Sequence, residues 1–332
     1  MGLKGKDMSS TEASPPRTLG EIGANYKAEE HMDNEEYPTP YYLTNCGAAY
    51  LGDSLDLMRY LPSGSVNLIF TSPPFALRRK KEYGNVEASE YVNWFSKFVG
   101  EFHRLLTDDG SLVIDIGGSW NKGHPTRSLY HFQLLLELTK TFHLAQEFYW
   151  YNPAKLPSPA EWVTVRRIRV KDAVNPIWWL SKTEYPKADN RKVLKSYSDA
   201  MQDLLRNGYK AKRRPSGHDI SPKFSRDHGG SIPSNLISIS NTDSNSFYLQ
   251  ACREAGLSPH PARFPGQLPE FFIRFLTNEG DLVFDPFAGS NVTGEMAERI
   301  QRRWLAFEVV EDYLKGSIFR FRQLSMDFGK VV

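Results

Sequence analysis

Cysteine is nearly missing from this chain: there are two in 332 residues, Cys46 and Cys252. Two thiols can build neither a disulfide framework nor a tetrahedral zinc site of the usual spacing, and no metal site is expected. No uninterrupted apolar stretch is long enough to span a bilayer, and no basic-then-apolar leader opens the sequence, which predicts a cytosolic protein. A strong net charge is also lacking, at +2, but that balance hides an asymmetry. Between Lys187 and Arg226 lie eleven Lys/Arg and four Asp/Glu, so this window carries +7 and the remainder −5. A basic run is more often a solvated face; concentrated in one window it is also a footprint of phosphate binding.

What is present, 40% hydrophobic and 24% charged residues, fits a globular protein with a sizeable core in one large domain or two. The first 36 residues are polar, charged and without periodicity, and are expected to be a disordered tail. Beyond them the chain is organised around Val66-Asn67-Leu68-Ile69-Phe70-Thr71-Ser72-Pro73-Pro74-Phe75. An apolar run of strand length delivers Ser72 to a sheet edge. There two prolines fix φ and remove two backbone donors while leaving both carbonyls free. A hydroxyl, a free carbonyl and an aromatic face within four residues can accept from a planar amino group and stack on its ring. Ser14-Pro15-Pro16-Arg17 is a control within the same chain, with no strand before it and no aromatic after it.

The surrounding pattern alternates strand and helix. Ala48 to Asp53 reads as a strand ending in a carboxylate, with Ser54 as N-cap of the next helix. Ser89 is expected to cap an amphipathic helix carrying Tyr91, Trp94, Phe95, Phe98, Phe102 and Leu105. Asp108-Asp109-Gly110 turns into Ser111–Gly118, an apolar strand interrupted by Asp115, whose burial is costly unless it faces a cleft or finds donors. A helix near Leu129 to Thr141 and a strand Glu147–Trp150 follow, and Val163 to Leu180 reads as an antiparallel hairpin turning near Lys171-Asp172. The fold class expected is α/β, a doubly wound sheet. Residues 184–260 break the alternation and read as an inserted module rich in Ser, Asn, Arg and His, the side chains that base-edge readout uses. Arg78-Arg79-Lys80-Lys81, one short loop from the proposed pocket, are candidate phosphate contacts.

Asp281–Asn291 reads as strand, tight glycine turn and helix start, and Trp304–Glu308 as a strand ending in a carboxylate 23 residues after Asp285. That spacing resembles the one between a nucleotide-site glycine turn and its ribose-binding acid. The turn is Phe-Ala-Gly-Ser-Asn, without the Gly-x-Gly-x-x-Gly that close approach to a pyrophosphate demands. A cofactor without phosphates, such as S-adenosylmethionine, makes no such demand.

From Tyr42 to Phe321 the chain resembles the DNA amino-methyltransferases, and among them the PvuII-type cytosine-N4 group. The likeness rests on Thr71-Ser72-Pro73-Pro74-Phe75, the strand around Asp115, Lys155-Leu156-Pro157-Ser158-Pro159, Arg214-Pro215-Ser216-Gly217-His218-Asp219, Pro261-Ala262-Arg263-Phe264-Pro265 and Phe287-Ala288-Gly289-Ser290-Asn291. It implies a catalytic half (37–183), a DNA-recognition module (184–260) and a cofactor half (261–324), in circularly permuted order. It assigns Asp53, Phe264, Pro265, Asp285, Phe287, Ala288, Gly289, Ser290, Asn291 and Glu308 to S-adenosylmethionine, with Glu308 on the ribose. Ser72, Pro73, Pro74, Phe75 and Asp115 would be catalytic; Arg213, Arg214, Ser216 and His218 would contact DNA. It further implies double-stranded DNA as partner, at a CAGCTG-like palindrome. The setting would be a prokaryotic restriction-modification system, in which a monomer forms no stable complex with its endonuclease. The alternatives are adenine-N6 methylation, a non-catalytic DNA-binding protein on the same fold, and a hydride-transferring nucleotide enzyme, which the missing glycines disfavour.

Overall fold

The computed structural model describes residues 38–76, 86–208, 226–242 and 246–328. The expected tail, Arg78, Arg79, Lys80, Lys81, Arg213, Arg214, Ser216 and His218 lie outside the described residues. The elements run β1 (Tyr42–Leu43), β2 (Gly47–Leu51), α1 (Ser54–Met58), β3 (Val66–Thr71), α2 (Tyr91–Leu105), β4 (Leu106–Asp115), α3 (Tyr130–Leu138), β5 (His143–Tyr151) and β6 (Val174–Ser181). They continue with α4 (Asp199–Asn207), β7 (Leu236–Ser238), α5 (Phe247–Glu254), α6 (Gln267–Leu276), β8 (Leu282–Asp285), α7 (Val292–Arg299), β9 (Arg303–Glu308) and α8 (Glu311–Phe328).

Among the described residues nine strands form one sheet in the order β1-β2-β9-β8-β3-β4-β6-β5-β7. The central strands β2, β9, β8, β3 and β4 are mutually parallel, and β6 runs antiparallel between β4 and β5. Parallel strands covered on both faces need no polar alternation. In β3 the side chains of Ile69 face one core with α2 and α3, while Leu68 and Phe70 face the other with α6, α7 and α8. All three are fully buried, and each contributes about 1.5–3 kcal/mol on leaving water.

The chain leaves β8 through α7 toward β9 on one side, and leaves β3 through α2 toward β4 on the other. Their helices lie on opposite faces. The gap between β8 and β3 is thus a topological switch point, where open α/β sheets place a ligand crevice at the strand carboxyl ends. Ser72, Asp115, Asp285 and Glu308 all stand at or just past such ends.

Several local expectations are corrected. Asp53, not Ser54, caps α1, its carboxylate accepting from Leu55 N at 2.8 Å. The Ser54 hydroxyl instead donates to the Pro286 carbonyl, tying this corner to the β8 turn. Glu90 occupies the N-cap of α2 without a side-chain bond, so Ser89 does not cap it. Residues 107–110 are a bulge inside β4: Val66 pairs with Leu106, and Leu68 with Ser111. The hairpin over 163–180 is half right. Only β6 is a strand, whereas Glu161–Val165 forms a π-helical turn started at Pro159. The stretch 163–170 carries the β-branched Val163, Val165, Ile168 and Val170, but no strand among the described residues pairs with it.

The 184–260 window is not wholly separate from the sheet. Lys187 pairs with Asp281 at 2.5 Å, Lys192 donates to Thr277 O at 2.9 Å, β7 adds to β5, and α5 packs on α8. Lys195 and Ser231 exchange backbone hydrogen bonds of 2.9 and 2.8 Å.

Candidate active site

One cavity of about 380 Å³ runs along the carboxyl ends of β2, β9, β8, β3 and β4, within the range of about 300–1,000 Å³ typical of small-molecule sites. Its two ends differ in chemistry. At one, Phe98, Phe287 and Phe307 form an apolar wall beside Asp53, Gly289 and Glu308. At the other stand Ser72, Pro73, Pro74, Phe75, Asp115 and Asn175.

The polar end is built from β3 and β4. Ser72 Oγ donates to Asp115 Oδ2 at 3.2 Å, and Asn175 Nδ2 donates to Asp115 Oδ1 at 3.2 Å. Asp115 is buried, and burial pushes its carboxyl up from 3.8 to about 6; the Asn175 and Ser72 hydrogen bonds and the Lys155 charge hold it down in part. The alternatives of cleft or internal donors both hold, because Asp115 lines the cavity and accepts from two side chains. Phe75 packs its ring against Gly117, where a Cβ would sit 2.5 Å from the ring. Only glycine there allows the ring its place. Tyr130 Oη donates to the Gly117 carbonyl and fixes this backing.

The other end is built from the β8 turn and the tip of β9. Gly289 adopts φ +52°, conformationally cheap only for glycine, and its N–H donates to Glu308 Oε2 at 2.7 Å. Val310 N donates to Glu308 Oε1 at 2.9 Å. Burial pushes the Glu308 carboxyl up, opposed by these backbone donors. Val309 adds a third backbone donor, which leaves about one of the carboxylate's four acceptor sites for a hydroxyl donor such as a ribose.

Asp53, Phe264, Phe287, Ala288, Gly289, Ser290 and Glu308 line the cavity as expected, and Asp285, Pro265 and Asn291 do not. Asp285 is buried beneath the turn. It accepts from Thr71 Oγ1 at 2.8 Å, Phe287 N at 3.1 Å and Thr293 Oγ1 at 2.7 Å, and burial pushes its carboxyl to about 6. Through Thr71 it joins the β8 turn to the residue preceding Ser72. Asn291 caps α7, accepting from Gly294 N at 3.0 Å and donating to Tyr42 Oη at 2.9 Å. Pro265 is buried behind Phe264, whose ring packs edge-on against Phe70 at 5.6 Å. Ser290 is held from outside: Arg320 Nε donates to its carbonyl at 2.7 Å and Nη2 to its hydroxyl at 3.1 Å.

Sequence reasoning missed Asn175, Asn241, His260 and Trp150 in the cavity wall. Asn175 sits in β6 beside Pro176, and only the antiparallel pairing of Asp115 with Ile177 brings it to the carboxylate. Asn241 donates to Arg263 O at 2.7 Å and its N–H to Asn152 Oδ1 at 3.2 Å, joining two loops distant in sequence. Among the described residues no group of His, Cys, Asp and Glu could hold a metal ion, and no helix is long and apolar enough to cross a membrane.

A family model described as DNA methylase, of the N6/N4 type, matches residues 66–319. The chain is 55% identical over 297 residues to the type II methyltransferase M.PvuII of Proteus hauseri, covering 88% of each. It is 24% identical to the DNA adenine methyltransferase YhdJ of Escherichia coli, over 81% of this chain and 80% of that one. Among solved structures it is similar to the PvuII DNA methyltransferase (cytosine-N4-specific), with TM-score 0.70 and 48% identity over 86% of this chain and 89% of that one.

Proposed function

Because the chain belongs to the N6/N4 DNA methylase family, we propose that it methylates the exocyclic N4 amine of a cytosine extruded from duplex DNA, using S-adenosylmethionine. The observation that carries this reading is the pairing of the Ser72 hydroxyl with the buried Asp115 carboxylate at one end of a cavity whose other end is bordered by Glu308. S-adenosylmethionine, when bound, supplies an electrophilic methyl group on a sulfonium. The residues present fit it: the incompletely satisfied, buried Glu308 carboxylate suits a ribose hydroxyl, Asp53 and the Phe98, Phe287 and Phe307 wall suit the adenine side, and no glycine-lined pyrophosphate cradle is needed.

The amine of cytosine is a poor nucleophile because its lone pair is delocalised into the ring. Asp115 accepts a hydrogen bond from the Ser72 hydroxyl, which makes Ser72 Oγ a stronger acceptor toward an amine N–H. The Pro73 carbonyl, freed by the two prolines, accepts the second N–H. Together they favour a pyramidal nitrogen, an interaction realised chiefly in the transition state. Phe75 stacks on the flipped ring. Extrusion costs a few kcal/mol and is required because the amine is out of reach within the stack. Phosphate and base contacts come from Arg78–Lys81 and from Arg213, Arg214, Ser216 and His218. The recognition module lies within residues 184–260. The protein acts as a cytoplasmic monomer in a restriction-modification system, without a stable complex with the endonuclease, at a CAGCTG-like palindrome.

The test is incubation of duplex DNA with cofactor labelled on the methyl group. Label in DNA that depends on Ser72 supports the reading. Binding of DNA with no transfer, by a folded enzyme that binds the cofactor, would give the case to a non-catalytic DNA-binding protein.

A further inference from the structure

Residues 153–172 form an arm that leaves the cavity wall and returns to it. Its stem is closed by Asn152 N donating to Ala173 O at 2.8 Å, and Asn152, Lys155 and Ala173 all line the cavity. The two limbs are tied together just above the stem: Lys171 Nζ donates to Pro153 O at 3.2 Å and Lys155 O at 3.1 Å, and Asp172 N donates to Ser158 O at 2.9 Å. Leu156, next to the cavity-lining Lys155, and Val170, next to Lys171, therefore sit on opposite limbs near the stem. They are 79% and 85% exposed. Farther along, Val165 and Ile168 are exposed too.

Exposed apolar side chains carried on a braced arm mark an interaction surface, and the arm's charge identifies the partner. The arm carries Lys155, Arg166, Arg167, Arg169 and Lys171 against Glu161 and Asp172. Arg169 and Arg127 share Asp172 at 3.1 and 3.0 Å, and Arg166 pairs with Glu161 at 2.8 Å. Arg167 has no such partner among the described residues, and its φ of +55° presents it at a strained turn of the arm. Exposed apolar side chains near the stem, with an unpaired cation farther along the same arm, fit a duplex with a vacated stacking position and its flanking phosphates. Apolar side chains are the wedges that proteins insert between base steps.

We propose that Leu156 and Val170 enter the duplex where the target base has left it and occupy the vacated space, with Arg167 on a neighbouring phosphate. The inference rests on the DNA-methylation reading. Each wedge side chain, buried only in the extruded complex, favours extrusion by about tenfold.

The test uses the full-length enzyme and a duplex bearing the site it methylates, with fluorescent pyrrolocytosine at the target. For Leu156→Ser/Val170→Ser we expect the extruded population to fall by at least tenfold, cofactor affinity and melting temperature to stay at parental values, and a mismatched, already weakly paired target to restore most of the signal. Val170→Ser alone should move in the same direction, and Leu136→Ser, an exposed leucine of α3, should not. Arg167→Ala should lower the log-log salt slope of DNA binding by about 0.9. Extrusion by the double variant equal to the parent would overturn the wedge while leaving the methylation reading intact. A parent that sediments as a dimer and a variant that sediments as a monomer would reassign the surface to a contact between copies. A parent that methylates no DNA would remove the premise itself.

Discussion

Replacing Asp115 by Asn separates what the carboxylate does for catalysis from what it costs the fold. The amide keeps one acceptor and replaces the other by a donor. If its oxygen stays toward Asn175, its NH2 faces Ser72, donates to one of the two hydroxyl lone pairs, and no longer accepts the hydroxyl hydrogen bond that strengthens Ser72 Oγ as an acceptor. If it flips, two NH2 groups confront each other. Either arrangement loses one hydrogen bond to a charged group, about 2 kcal/mol, and so about 30-fold in single-turnover rate. Stability moves the other way. The parental carboxyl titrates near 6 in the folded protein against 3.8 ordinarily. Its contribution is therefore fully present below pH 4 and is lost as pH rises through about 6. That span corresponds to about 3 kcal/mol. Asp115→Asn escapes this loss, so its stability relative to the parent should rise between pH 4 and 7 by up to that amount. Thermal melts across pH, paired with single-turnover kinetics on the same samples, check both arms. A variant that lags the parent by a constant margin at every pH would refute the argument that a buried, desolvated carboxylate occupies this position.

Ser72→Ala deletes an acceptor used mainly in the transition state and should lower turnover by about 10²–10³-fold, the range for loss of one such group, with cofactor affinity unchanged by titration calorimetry. Glu308→Ala should weaken S-adenosylmethionine by about 1–3 kcal/mol and spare DNA affinity; calorimetry with each ligand decides it. Arg213→Ala/Arg214→Ala should lower DNA affinity and flatten its salt dependence by about 0.9 per lost phosphate contact, read from binding curves on cognate and scrambled duplexes across a salt series.

The sheet was legible because its central strands β3, β8 and β9 are largely apolar and its main helices periodic, and the strand ends bearing Ser72, Asp115, Asp285 and Glu308 converge through the topology. What stayed hidden depended on register or on competition between neighbours. Asn175 reaches Asp115 only because β6 returns antiparallel. Asp53 and Ser54 are equally good capping residues in sequence, and the Pro286 carbonyl decides between them by taking the serine hydroxyl. Asp285 and Asn291 carry the residue types of a binding turn but serve its interior, since Thr71, Thr293, Gly294 and Tyr42 claim their polar atoms. The stretch 163–170 reads as a strand in the sequence because Val163, Val165, Ile168 and Val170 give it β-branched content, but no strand among the described residues pairs with it, and Val165, Ile168 and Val170 face solvent. Their exposure is a property of the arm.

The central claim concerns the atom that receives the methyl group. Neither Cys46 nor Cys252 follows a proline or lines the cavity, so no thiolate is placed for covalent attack on a pyrimidine ring. Mass spectrometry of nucleosides from duplex DNA treated with the enzyme and labelled S-adenosylmethionine should find the label in N4-methylcytosine. Label in N6-methyladenine would contradict the choice of base, and 5-methylcytosine accompanied by a cysteine-dependent adduct would contradict the mechanism.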